Sequence, residues 1–320
     1  MKLFVCDGRS ALRRIEVPTP EPGPGQVRVA VAAVGVCASD VECFDGRRVV
    51  HQRYGHPVIG HEVAGTIDAV GVGVGGLRAG DRVACVETWG ALADYVIAYP
   101  LHLLRFSPRL AFEDACLLEV LPGIAMAAWR SGISRESRVL VVGQGLSGLL
   151  ITRCVHLHGC HELVVVDPDP EKLAIAAEFG ADATVRGTLP TDDELVKEEG
   201  QFDVAIVATP GAEALRSLVT LVRPRGRIVL YGGLVPDAQL DLYAVHRRSI
   251  SLVKESGGVQ GVLEARQLWR QALQLVEDGV LSLSRLRTHT FPMADAEAAL
   301  RLRAGHVETA LHVVLRNGDP

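Results

Sequence analysis

The run Val139-Leu140-Val141-Val142 passes directly into Gly143-x-Gly145-x-x-Gly148 and then into an apolar stretch of helical spacing that reaches about His158. Few short patterns restrict a fold so tightly. A buried strand that turns on glycine into a helix has to return as a parallel strand, and such crossovers are right-handed. The chain continues in that way. Leu163-Val164-Val165-Val166-Asp167 reads as the next strand, 171–179 as a helix stopped by Gly180, Val204-Ala205-Ile206-Val207 as a strand and 212–222 as a helix. Arg227-Ile228-Val229-Leu230 supplies a further strand. Alternation of this kind predicts a doubly wound parallel sheet over residues 122–255.

Before residue 122 the texture differs. Pro18, Pro20, Pro22 and Pro24 form an extended approach to the alternating strand Gln26-Val27-Arg28-Val29-Ala30-Val31, and glycines 65, 71, 73, 75, 76 and 80 punctuate short strands after it. This block predicts a bent, β-barrel-like domain. The closing segment, with a helix over 264–278 and strands over 288–291 and 309–315, is expected to return to it. The expected organisation is therefore α/β: a barrel-like domain from 1–121 and 256–320, and a dinucleotide-binding domain between them. A chain of 320 residues suits two cores better than one.

Composition excludes several classes. A net charge of −5 gives no basic surplus for nucleic acid. No stretch approaches the roughly 18 uninterrupted apolar residues of a membrane helix, and charge appears too early after Met1 for a signal peptide. Seven cysteines, scattered without a C-x-x-C pair, fit a reducing compartment, and the cytoplasm is the expected location.

Glycine motifs alone are weak evidence, because a βα turn can contain glycine and bind nothing. Here the motif follows a strand, opens a helix, and is followed nineteen residues after Gly148 by Asp167 at a strand end. That context favours a cofactor. Gly143 permits the turn, Gly145 lets the backbone approach a pyrophosphate, and Gly148 permits close helix–strand packing, with Leu146 and Ser147 in the same turn. Asp167 is placed to accept from an adenosine ribose and to repel a 2′-phosphate, so NAD is expected over NADP. Thr209 and Gly232 are further candidates for cofactor contact.

A second set of residues carries metal chemistry. Cys37 and His61 offer a soft sulfur and an imidazole, the donors that zinc favours. Taken singly, each is more simply a buried thiol and a core histidine. Glu119 is a carboxylate in the otherwise apolar run Ala115-Cys116-Leu117-Leu118-Glu119-Val120-Leu121, costly unless paired or bound to metal. It is the candidate third ligand. Glu62 is either a fourth ligand or a group behind the metal, and Asp40 is a candidate acceptor that would orient the His61 ring.

The ordered set Gly35-Val36-Cys37-Ala38-Ser39-Asp40, Gly60-His61-Glu62, Gly80-Asp81-Arg82-Val83, Gly90-Ala91-Leu92-Ala93-Asp94-Tyr95, Leu118-Glu119-x-Leu121 and the glycine motif resembles the zinc-dependent medium-chain dehydrogenases, nearest their sorbitol (polyol) branch. The resemblance runs nearly end to end. It implies a GroES-like catalytic domain and a Rossmann domain, with Cys37, His61 and Glu119 as zinc ligands, Glu62 as the variable neighbour, and Ser39 as the hydroxyl that passes the substrate proton. The implied reaction is hydride transfer between NAD(H) and a secondary alcohol or ketone on a sugar, polyol or (amino)cyclitol, with a homodimer or homotetramer as the expected assembly.

Three departures stand out. Six residues separate Val83 from Gly90 where relatives often carry a four-cysteine lobe, so no structural zinc is expected. Glu42 replaces the usual relay histidine and is either a proton relay or a solvated carboxylate. Leu146-Ser147 replaces a proline–aliphatic pair. The rival readings are a metal-free quinone or enone reductase of the same superfamily and a non-catalytic NAD-binding subunit.

Overall fold

The strand expected at 139–142 is present as Arg138–Val142, and its four aliphatic side chains are at most 2% exposed. Burial on both faces explains why it reads as an unbroken apolar run rather than an alternating one. The computed structural model describes residues 1–188, 202–209, 212–232, 240–254, 262–305 and 310–318. The chain divides into two units, Met1–Leu121 with Val262–Pro320, and Pro122–Gly261. The expected boundary at 255/256 and the start of the strand expected at 309 lie outside the described residues.

In the second unit, six parallel strands are described: Arg138–Val142, Glu162–Asp167, Ala183–Arg186, Phe202–Val207, Val222–Leu230 and Ser251–Lys254. Their spatial order is third, second, first, fourth, fifth, sixth. The order reverses between the first and fourth strands, which is where ligands bind in open α/β sheets. Helices Leu146–His158, Pro170–Glu178 and Ala212–Leu221 supply the crossovers. Asp169 starts the second of them, accepting from the Glu171 N–H at 2.9 Å with Pro170 in the first turn. Leu140, Val142, Val164, Val166, Ala205 and Val207 pack with Leu218 and Val219 into one core.

The first unit is built on a bent sheet ordered Arg287–Pro292, His312–Arg316, Val27–Gly35, Glu62–Val70, Arg82–Cys85 and Leu103–Arg105, with Tyr95–Ala98 also pairing with Val27–Gly35. Register shifts at Arg28/Val29 and Val31/Ala33 bend the central strand. The closing segment returns to this sheet, His312–Arg316 pairing antiparallel with Val27–Gly35. Helix Val262–Glu277 packs on the short 3-10 turn Cys116–Glu119, and buried Trp269 donates its indole N–H to the Leu118 carbonyl. All seven cysteines are free thiols. Among the described residues, no helix is long and apolar enough to cross a membrane.

Candidate functional site

Cys37 ends the turn after strand Val27–Gly35 and starts helix Ala38–Phe44, while His61 and Glu62 stand at the head of strand Glu62–Val70. Strand pairing sets Gly35 opposite Glu62 and so draws the two segments together. The result is a cluster in which one ligand atom each from Cys37, His61 and Glu62 lies within 4.8 Å of the others. Cys37 is partly exposed, whereas His61 and Glu62 are 8% and 1% exposed.

Asp40 organises that cluster. Its Oδ2 accepts the Cys37 backbone N–H at 3.1 Å, and its Oδ1 accepts the Gly60 N–H at 2.8 Å and faces His61 Nδ1 at 3.2 Å. One carboxylate, 2% exposed, thus ties together the Cys37 and Gly60–His61 segments and the imidazole between them. With its proton on Nδ1, the ring presents Nε2 as the lone-pair donor. Burial alone would lower the His61 pKa, but Asp40 and the Cys37 sulfur outweigh it and hold it well above the ordinary imidazole value. Asp40→Ala is expected to weaken metal binding about tenfold to hundredfold, measured by competition with a chromophoric chelator.

Glu119 does not join the tight cluster among the described residues. Burial, countered in part by His61 and reinforced by Glu62, Glu87 and Asp40, pushes its carboxyl up to about 8. By surface area Glu119 is partly exposed, on the 3-10 turn Cys116–Glu119. The stability tied to this group is fully present below its ordinary value of 4.5 and is lost as pH rises through about 8. Metal-stripped Glu119→Gln is therefore expected to melt higher than metal-stripped parent at pH 8 and to match it at pH 4, measured by parallel thermal scans.

Ser39 lies in the first turn of helix Ala38–Phe44, partly exposed, and Glu42 follows three residues on, along the same face. Glu42 Oε2 is 4.0 Å from Arg48 Nη1, a loose ion pair in a half-exposed setting. Three neighbours escaped the sequence reading. Trp89 stacks on His61 with ring centroids 4.3 Å apart and on His51 at 3.6 Å. Burial and Arg48 lower the His51 pKa. The third neighbour is His312, whose Nε2 lies 3.2 Å from Glu62 Oε2. Only His312 left a trace in the sequence, as a polar residue opening the apolar strand His312-Val313-Val314-Leu315.

In the other unit the glycine motif forms a turn at the ends of the first, fourth and fifth strands of the parallel sheet. Gly143 has φ +88° and packs on Thr209, and a side chain on Gly232 would press on the Ala208–Thr209 backbone, so both further candidates border the turn. A Cβ on Gly148 would lie 1.8 Å from the Gly143 carbonyl oxygen, whereas one on Gly145 would meet nothing within 4 Å among the described residues beyond its chain neighbours. Helix Leu146–His158 begins at Gly145 without a side-chain cap, so its first N–H groups are available to an anion. Asp167, 6% exposed, accepts the Gln144 N–H at 2.6 Å and the Asp169 N–H at 2.9 Å, one on each oxygen. Arg186 is its register partner on the neighbouring strand.

The donor set fits zinc: a thiol, an imidazole with its far nitrogen held by a carboxylate, and an acid, gathered in one partly open spot. A chain that joins a bent β-unit bearing this cluster to a parallel sheet of dinucleotide-binding order has the architecture of a two-domain α/β oxidoreductase. Residues 23–105 match the alcohol dehydrogenase GroES-like domain, and residues 148–278 match the zinc-binding dehydrogenase family. The chain is 29% identical to L-idonate 5-dehydrogenase of Vitis vinifera, over 85% of this chain and 83% of the relative. It is 27% identical to sorbitol dehydrogenase of Rattus norvegicus, over 83% and 82%. In fold it is similar to an alcohol dehydrogenase from E. coli CFT073 solved with NADH, with a TM-score of 0.86, 24% identity and 99% of each chain covered. The chain belongs to the zinc-type medium-chain alcohol dehydrogenase family, in its polyol-dehydrogenase-like branch.

Proposed function

We propose that this protein interconverts a secondary alcohol and its ketone on a sugar, polyol or (amino)cyclitol, using one catalytic zinc and NAD. The convergence of Cys37, His61 and Glu62 within 4.8 Å carries the reading. The polyol and sugar-acid dehydrogenases among its relatives support the substrate class. Cys37, His61 and Glu119 are the proposed zinc ligands, with Glu62 alongside. Gly143, Gly145, Leu146, Ser147, Gly148, Asp167, Thr209 and Gly232 are the proposed cofactor contacts. When bound, zinc would supply a Lewis acid for the substrate oxygen and NAD a two-electron acceptor for hydride.

The chain's own residues do the rest. Asp40 keeps His61 in one tautomer and one orientation. Ser39 accepts the hydrogen bond of the substrate hydroxyl and, as it receives that proton, releases its own outward, to the cofactor ribose, to Glu42 one helical turn further, or to water. Asp167 supports NAD over NADP, because its buried carboxylate would repel a 2′-phosphate. Arg186 beside it is the group that would soften this preference. No structural zinc is proposed, and a homodimer or homotetramer is the proposed assembly.

The test is zinc and cofactor stoichiometry on purified protein, followed by a panel of polyols, sugar acids and cyclitols with NAD and with NADP. One zinc per chain and NAD-linked turnover of a secondary alcohol are expected. Quinone reduction by metal-free protein would favour the reductase reading. Cofactor binding without turnover on the panel would favour a non-catalytic subunit.

A further inference from the structure

We propose that His312 is a positioning residue for the metal centre, holding the Glu62 carboxylate beside the cation and off the coordination position that the substrate needs. The inference rests on the zinc reading above and gives Glu62 the second of its two roles, a group behind the metal rather than a fourth ligand.

The pair is fully enclosed, with both side chains 1% exposed and Nε2 3.2 Å from Oε2. The two residues are 250 positions apart in the chain and come from strands on either side of Val27–Gly35. They meet across that central strand, over the one residue that leaves room. A Cβ on Gly35 would sit 2.0 Å from Glu62 Oε2 and 2.5 Å from His312 Nε2. The bridge therefore spans the backbone that delivers Cys37 two residues later.

The other ring nitrogen, His312 Nδ1, is buried with no hydrogen-bond partner among the described residues. A histidine that leaves half its polar edge unpaired is a poor choice for packing alone, since an apolar residue in a strand of valine and leucine would cost less. What the ring does provide is an N–H aimed at one oxygen of a carboxylate that also belongs to the metal cluster. With that donor removed, Glu62 is left enclosed and unpaired. Its nearest compensation is the cation itself, as an extra ligand that closes the open position.

Cobalt(II)-substituted holoprotein gives the test, because its visible absorption responds to an added carboxylate ligand independently of turnover. His312→Leu is expected to change that spectrum and to lower kcat about tenfold to hundredfold, while chelator competition shows metal affinity equal to or tighter than the parent's. His312→Gln, which keeps an N–H donor at similar reach, should restore the parent spectrum and most of kcat. Glu62→Gln, which keeps an acceptor for His312 but is a weak ligand, should leave the spectrum unchanged. A parent-like spectrum and kcat in His312→Leu would overturn the proposal. So would failure of His312→Gln to restore them in a folded protein, or a shifted spectrum in Glu62→Gln. Loss of metal from His312→Leu would reduce His312 to a structural role. A parent that binds no metal at all would instead sink the zinc reading, and this inference with it.

Discussion

Cys37→Ser is expected to abolish zinc binding and turnover together while NADH binding stays at the parent level. The substitution changes one atom, and the surroundings hold it in place. The Cys37 backbone is tied to Asp40 at 3.1 Å and sits at the start of helix Ala38–Phe44, so a serine would occupy the same spot. What it would lack is an ionisable, polarisable sulfur. A serine hydroxyl stays protonated near neutral pH and is a feeble zinc ligand, which leaves His61 and the carboxylates to hold the ion. Losing several kcal/mol of Lewis-acid stabilisation lowers kcat/KM by on the order of a thousandfold. Elemental analysis, NADH fluorescence titration and a steady-state assay on the same preparation check the three parts. A variant that kept most of its rate would show that the chemistry does not run through this cluster.

Much of this arrangement was legible in the sequence, for reasons that differ from element to element. The parallel sheet was readable because its signal is local: apolar strands, a glycine turn, a helix and a spaced acid all fall within thirty residues. Helix Leu146–His158 and strand Glu162–Asp167 lie within a residue or so of their expected limits. Cys37 and His61 were different. No periodicity unites a thiol and an imidazole twenty-four positions apart, and only the ordered resemblance did so.

Asp40 was readable as the acceptor for His61, but its grip on the backbones of Cys37 and Gly60 was not, because those N–H groups carry no mark in a one-letter code. His312 and Trp89 were hidden for a similar reason. Their partners lie on other strands, and register over such distances is fixed by sheet topology rather than by neighbouring residues. Glu119 shows the limit of burial logic. Reasoning from cost singled out a carboxyl that burial pushes up to about 8, yet the cost does not specify which neighbour answers it.

The second large effect is expected at Gly148, and its neighbour in the motif makes it interpretable. Gly148→Ala would set a methyl group 1.8 Å from the Gly143 carbonyl oxygen and 2.8 Å from its carbon. Both are backbone atoms of the turn itself, so no side chain can swing away and the helix start has to move. Overpacking of this kind costs about 1–3 kcal/mol of stability, and the moved amides would no longer converge on a phosphate. Gly145→Ala differs in kind, because its methyl would meet nothing within 4 Å among the described residues beyond its chain neighbours. It should leave the melting temperature of the cofactor-free protein unchanged and still weaken NADH binding, since the methyl occupies space proposed for the pyrophosphate. Gly148→Ala should lower both. Zinc stoichiometry should stay at the parent value in either variant, because the proposed metal cluster lies wholly in the other unit. Thermal scans with NADH titration separate the cases. If Gly145→Ala bound NADH as tightly as the parent, the turn would be a packing device and the cofactor's phosphates would have to lie elsewhere.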